Sequence, residues 1–218
     1  MYIADNIIRD RLKKVYFIWG RGKTTVSDRL RDKFGFYVYR TDDSRDYHRK
    51  DASPIYQPYM CYDFEKEYGV KDFWALPQKV IGEREKHFLA EVTPMFVADM
   101  IVLSEKHDVI ICEGDIDYEA IIPVAAHAVH LCNRGTNFDF FNRPDHANLD
   151  SIKKRSDLSE SEKESIIKNA YGSVGGNEGI IPEWVIRHGV KNIMWDDKTG
   201  VEQTVSEVEK YFGFSEAV

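Results

Sequence analysis

The stretch Val15-Tyr16-Phe17-Ile18-Trp19-Gly20-Arg21-Gly22-Lys23-Thr24-Thr25 decides how the chain is to be read. An apolar run breaks into glycines, then Lys-Thr-Thr, and a segment with helical spacing follows. That order suits a loop that cradles phosphate. A buried strand delivers the backbone, glycines let it approach an anion, and the next helix offers free N–H groups at its start. On this reading Gly20, Arg21, Gly22, Lys23, Thr24 and Thr25 line the phosphates of a nucleotide. Lys23 meets the β- and γ-phosphate oxygens, and the Thr24 hydroxyl holds Mg²⁺. The spacing departs from the motif. A Walker A loop has four residues between its first Gly and Gly-Lys-Thr, and counting back from Gly22 puts Phe17 where that Gly belongs. Only Arg21 lies between Gly20 and Gly22. Either the sequence as written lacks loop residues, or the loop is contracted and nucleotide binding is weakened.

The flanking pattern supports a βαβ unit. Val26, Leu30 and Phe34 are spaced four apart on a helix from Thr24 to Phe34 that Gly35 stops. A second strand, Phe36 to Arg40, ends in Thr41-Asp42-Asp43. Strand, glycine turn, helix and strand in that order imply a parallel sheet, with residues 15–19 as its central strand, apolar on both faces. A leading helix is expected over residues 3–13. Residues 44–76 are dense in aromatics and charges and read as short helices separated by Pro54, Pro58 and Gly69. Pro77 opens a long helical region to about His107, with a bend at Pro94. Val109 to Cys112 is a third strand, followed by Glu113-Gly114-Asp115 and a short helix over 116–125. Ala128 to Cys132 is a fourth strand, residues 180–188 are helical, Asn192 to Trp195 is a fifth strand, and Val201 to Tyr211 closes the chain as a helix. Residues 133–178 lack strand pattern and end in the glycine-rich Gly172-Ser173-Val174-Gly175-Gly176, which reads as a flexible part of a helical flap. The expectation is a single domain, 1–218, with a helical acceptor-side insertion over 44–107 and a lid-like segment over 133–178.

Composition narrows the function classes. The chain has 218 residues, 43% hydrophobic and 31% charged, with a formal net charge of −7. This is a globular composition, and its acidic balance argues against nucleic acid as a partner. No apolar run reads as a membrane span, and Asp5, Arg9 and Asp10 give the N-terminus no signal-peptide character. Cys61, Cys112 and Cys132 lack zinc spacing, which fits a reducing cytoplasm. The histidines show no His-Glu-x-x-His pattern and no Gly-x-Ser-x-Gly elbow is present, so Mg²⁺ is the one metal expected.

Other residues complete the picture. Asp42 and Asp43 end the second strand at the sheet edge that faces ligand in such folds. A carboxylate there accepts an acceptor's proton or holds Mg²⁺ through water; alternatively one or both cap a helix starting near Ser44. Glu113 and Asp115 end the third strand, as ligands toward Mg²⁺ or as a plain strand end. Arg134 and Arg143 follow the fourth strand, as lid groups on phosphate or as surface ion pairs. Lys153, Lys154 and Arg155 lie beside the acidic run 157–164 and read as a solvated face. The aromatics of 47–74 either line an acceptor pocket or pack among themselves. Trp195 and its neighbours are candidates to flank adenine.

Taken together, Gly-Lys-Thr-Thr after a strand, Asp-Asp after the second strand, Glu-Gly-Asp after the third and arginines after the fourth resemble the P-loop small-molecule kinases. That group includes adenylate, shikimate and gluconate kinases and chloramphenicol phosphotransferase. The resemblance spans the layout but rests on these short motifs. It implies a three-layer αβα P-loop NTPase fold with a five-stranded parallel sheet. It also implies transfer of the γ-phosphate of ATP, with Mg²⁺, to a small-molecule hydroxyl or phosphate acceptor. Lys23, Asp42, Asp43, Arg134 and Arg143 would be catalytic, and Thr24 with Glu113 would organise the metal. The protein would act as a monomer or homodimer. The rival readings are a P-loop ATPase or nucleotide-binding switch, and a nucleotide-binding protein with weakened catalysis; no Asn-Lys-x-Asp guanine signature is present.

Overall fold

Five apolar runs pair into one parallel sheet. In chain order the strands are β1 (Val15–Gly20), β2 (Tyr37–Arg40), β3 (Ile110–Glu113), β4 (His127–Asn133) and β5 (Lys191–Trp195). In space their order is β2-β3-β1-β4-β5, which makes β1 the centre. The computed structural model describes residues 6–133, 149–175, 180–196 and 198–214. Register decides which residues meet at the strand ends. Ile18 of β1 and Arg40 of β2 both stand level with Glu113, while Gly20 stands level with Leu131 and Asn133 with Trp195. The carboxyl ends of all five strands therefore open on one edge, where ligands of open parallel sheets bind.

Alternation along β1 divides the core. Val15, Phe17 and Trp19 point to one face, and Ile18 to the other; each is fully buried. The first face is covered by α5 (Gln78–Ser104) through Val92, Phe96, Val97 and Met100. The second is covered by α2 (Lys23–Phe34) through Val26 and Leu30, and by α10 (Gly200–Phe212) through Val205 and Val208. Both faces are thus sealed by helices, the condition under which an all-parallel sheet is stable. Gly35 ends α2 in a left-handed cap whose N–H donates to the Arg31 carbonyl. The architecture is the αβα arrangement expected from the sequence, led by α1 (Asn6–Arg11). By length and composition alone α5 could cross a membrane, contrary to the sequence expectation; here it carries Pro94 internally and buries Phe96 and Met100 in the core.

The start of the helix after β2 departs from the expectation. Helix α3 (Thr41–Lys50) begins at Thr41, so Asp42 and Asp43 lie in its first turn rather than at a strand end or as caps before Ser44. Arg40 takes the extended N-cap position without a side-chain cap, and Ser44 Oγ donates back to the Arg40 carbonyl. The aromatics of the insertion pack. Tyr59 stacks on His87 at 4.4 Å between centroids, Arg84 lies 3.5 Å from the Tyr62 ring centre, and Tyr39 and His48 both bond Asp99 at 2.7 Å. Exceptions stay exposed, Tyr47 and Tyr56 among them. The insertion also holds α4 (Phe64–Tyr68) and a 3₁₀ turn (Phe73–Ala75).

After β3 comes α6 (Tyr118–Ile121), and after β4 come α7 (Leu149–Lys154) and α8 (Glu160–Gly175). Helix α8 runs on through Gly172 to Gly175, where the sequence suggests a flexible stretch. It is docked on the insertion: Asn169 Nδ2 donates to the carbonyls of Trp74 (2.7 Å) and Leu76 (2.8 Å). Arg155 pairs with Asp72 at 2.5 Å, so it serves a tertiary contact as well as the acidic run. Helix α9 (Glu183–Arg187) then leads to β5. Replacing Phe96 by Ala would open a cavity beneath the sheet. The expected loss is about 3–5 kcal/mol, read as a lower urea midpoint with an unchanged slope.

Candidate active site

The site is built around the turn from β1 to α2. Only Arg21 and Gly22 separate the last residue of β1 from the first of α2. Gly20 and Gly22 have φ of 87° and 86°, a region that side chains rarely tolerate. Both positions are also crowded. A Cβ on Gly20 would lie 2.1 Å from the Leu131 carbonyl oxygen, and one on Gly22 3.0 Å from the Trp195 ring. Between them, the Arg21 N–H donates to Leu131 O at 3.0 Å, and Trp195 Nε1 donates to Arg21 O at 2.9 Å. The contracted turn therefore forms as a closed structure, held by the ends of β4 and β5.

Helix α2 starts at once, its first backbone bond running from Val26 N–H to the Gly22 carbonyl. The amides of its opening turn, Lys23 to Thr25, have no intrahelical acceptor, and the helix dipole adds partial positive charge there. Thr24 and Asp28 are four apart and share a helix face. Thr24 Oγ1 donates to Glu113 Oε2 at 3.2 Å; Arg40 Nε donates to Glu113 Oε1 at 3.1 Å; the same guanidinium reaches Asp28 at 2.5 Å. A closed ring of four side chains thus ties α2 to the ends of β2 and β3.

Glu113 is buried, 3% exposed. Burial pushes its carboxyl pKa up, Lys23, Thr24 and Arg40 draw it down, and Asp42 raises it again. The Asp42 carboxyl is also pushed up, first by desolvation and then by Asp115, against the pull of Lys23 and Arg45. Its side chain nevertheless keeps 59% of its surface open, so solvent screens these couplings. Lys23 acts on both carboxyls. Lys23, Thr24, Asp42, Glu113 and Asp115 therefore come together, with Asp43 beside Asp42 on α3 and coupled to it. Arg134 and Arg143 lie outside the described residues. Behind the acids stands an aromatic wall: the Tyr118 hydroxyl donates to Asp115 at 3.1 Å, and its ring stacks on Trp184 at 4.6 Å with Trp19 edge-on to both.

Among the described residues no group of three or more His, Cys, Asp or Glu side chains could hold a metal. Thr24 Oγ1 and Glu113 Oε2 do suit Mg²⁺. They are adjacent hard oxygens, and this ion takes one or two protein oxygens and completes its shell with phosphate and water. A groove of about 310 Å³ between α2 and α10 lies away from this edge, and the Arg29–Glu202 and Lys33–Glu209 pairs belong to its lining. Nothing in it bears on the chemistry.

A glycine turn, lysine and threonine follow the central strand of a parallel sheet, with an acid from the next strand on the threonine. The fold is a three-layer αβα arrangement whose central strand passes through a glycine turn into α2. No protein-family model and no curated protein matches the chain. Among solved structures it is similar to a dephospho-CoA kinase from Campylobacter jejuni, at 11% identity and a TM-score of 0.39, over 93% of this chain and 97% of that one. It is also similar to a sugar kinase from Janibacter sp. HTCC2649, at 13% identity and a TM-score of 0.35, over 94% of this chain and 97% of that one. The assignment of fold rests on the strand order and the β1–turn–α2 connection, not on these likenesses.

Two supports of this turn were not visible in the sequence. Arg40 looks in the sequence like an ordinary charged strand end; only parallel register sets it beside Glu113. His130 lies next to Gly20, and its Nδ1 pairs with Asn192 Oδ1 at 2.7 Å. Burial lowers the His130 pKa against that hydrogen bond. The folded protein then holds fewer protons here than the unfolded chain. This contribution to stability is present above the ordinary histidine range and lost as pH falls through it. Urea midpoints should therefore rise with pH across that range, less steeply in His130→Gln; the remaining slope includes His127, whose pKa burial also lowers.

Proposed function

We propose that the protein is a Mg²⁺-dependent phosphotransferase that moves the terminal phosphoryl group of ATP to a hydroxyl or phosphate oxygen of a small molecule. The observation that carries this reading is the Thr24–Glu113 hydrogen bond at the start of α2, with Lys23 coupled to the acids beside it. Phosphoryl transfer asks a protein mainly for positioning and for compensation of charge. Lys23 and the first amides of α2 take the charge of the phosphate oxygens. Thr24 and Glu113 would hold Mg²⁺, which supplies further charge compensation between the phosphates. Asp42 receives the proton of the acceptor hydroxyl as the new O–P bond forms and the β–γ bridge breaks; its raised pKa suits it to that work. Asp43 orients the acceptor, and Arg134 and Arg143, outside the described residues, would add positive charge for the phosphates.

A second reading, a nucleotide-binding protein of weakened catalysis, has one specific observation behind it. Both polar atoms of the Arg21 peptide are spent inside the protein, so the turn does not wrap a phosphate as a longer loop would. Two measurements separate the readings. Mg·ATP should raise the melting temperature of the protein, and some member of a panel of small hydroxyl and phosphate compounds should accelerate ADP release. Lys23→Ala should lower that accelerated rate by about 10²–10³-fold, the usual loss when a transition-state charge partner goes, with unchanged circular dichroism. Stabilisation by Mg·ATP with no acceptor-dependent turnover would favour the second reading. Full activity in Lys23→Ala would defeat the first.

A further inference from the structure

We propose that Trp195 is a positioning residue for the phosphate site, a strap from the edge strand that stands in for the residues its turn lacks. The inference rests on the phosphotransferase reading for its ligand but on separate geometry for its substance. A Walker A loop holds its shape over several residues of its own. Here the peptide between the two positive-φ glycines has no such length, and its conformation is set from outside. One side is fixed by backbone: Arg21 N–H on Leu131 O. The other is held by a side chain, Trp195 Nε1 on Arg21 O at 2.9 Å.

The indole reaches further than that bond. Its six-membered ring lies against Gly22, which is the N-cap of α2 and offers no side-chain cap of its own. Gly22 sets the direction in which the opening amides of α2 point, and those amides are the anion-facing groups the contracted turn leaves. The strap is itself anchored. Trp195 stands level with Asn133 in the sheet, and the next residue, Asp196, accepts from Lys198 N, Thr199 N and Thr199 Oγ1 at 2.9, 2.8 and 3.0 Å. Position 195 therefore has little freedom to drift, and the indole N–H is delivered to one carbonyl. Phenylalanine in its place would remove both that N–H from Arg21 O and the outer ring from Gly22.

Trp195→Phe is the test, with Trp74→Phe, a half-exposed tryptophan on the insertion, as control. Hydrogen–deuterium exchange without nucleotide should speed up by about 10-fold or more at the Arg21 amide, which bonds Leu131 O, in Trp195→Phe, and the core strands should exchange as in the parent. The dissociation constant for Mg·ATP, by titration calorimetry, should rise by about 10-fold, the scale of one lost hydrogen bond. Trp74→Phe should match the parent in both. Parent-like exchange at the Arg21 amide in Trp195→Phe would overturn the strap. Faster exchange with unchanged Mg·ATP affinity would reduce Trp195 to a structural role and overturn it equally. A parent that bound no Mg·ATP would defeat the phosphotransferase reading, whereas parent-like exchange, read without nucleotide, would overturn the strap alone.

Discussion

The contact between Gly20 and the Leu131 carbonyl governs the rest of the molecule. At that point β1 and β4 approach so closely that no side chain fits, and the Arg21 N–H is turned onto the same oxygen. From there the chain can only leave the sheet sharply. It does so into α2 within two residues, and the start of that helix comes to rest beside the ends of β2 and β3. A backbone brought this near a neighbouring strand needs glycine for space as well as for dihedral freedom. Both needs fall on the same residue.

Once α2 is placed, the ring of Thr24, Glu113, Arg40 and Asp28 holds it there. Burying Glu113 without partners would cost several kcal/mol. Two charge-assisted or hydroxyl hydrogen bonds occupy one oxygen each, which offsets that cost and fixes the orientation of the carboxylate. Arg40 has an effect on the chemistry as well. It leaves the oxygen facing Thr24 as the one turned toward the start of α2. Electrostatics and local structure thus meet in a single arginine at the end of β2.

Sequence patterns exposed the sheet well, because β1 and β3 are apolar runs buried on both faces and the glycine turn marks the βαβ unit. Lys23, Thr24, Asp42 and Glu113 were readable for the same reason: each sits where a strand ends or a helix begins. What stayed hidden depends on partners far along the chain. Arg40 meets Glu113 across 73 residues, and Trp195 meets Arg21 across 174. For the aromatics of the insertion the sequence left pocket lining and packing both open, because their partners on α5 were out of view; Tyr59 finds His87, and Tyr62 finds Arg84. The start of α3 was misjudged because Asp42 and Asp43 are good caps, yet the strand runs straight into the helix and leaves them within its first turn. The glycines near the end of α8 suggested a flexible stretch by propensity, and the helix extends through Gly175.

The bonds from Asn169 to the carbonyls of Trp74 and Leu76 carry a mechanical consequence. With Arg155 on Asp72 and Ile166 in a small apolar cluster against Ala75, they splice the helices after β4 to the far end of the insertion. Two arms that leave the sheet from different strands are joined at their tips, like the legs of a truss. Neither arm pivots without loading the other. Whatever displaces the insertion is transmitted to α8, a second route by which the β2 side and the β4 side of this protein remain in register.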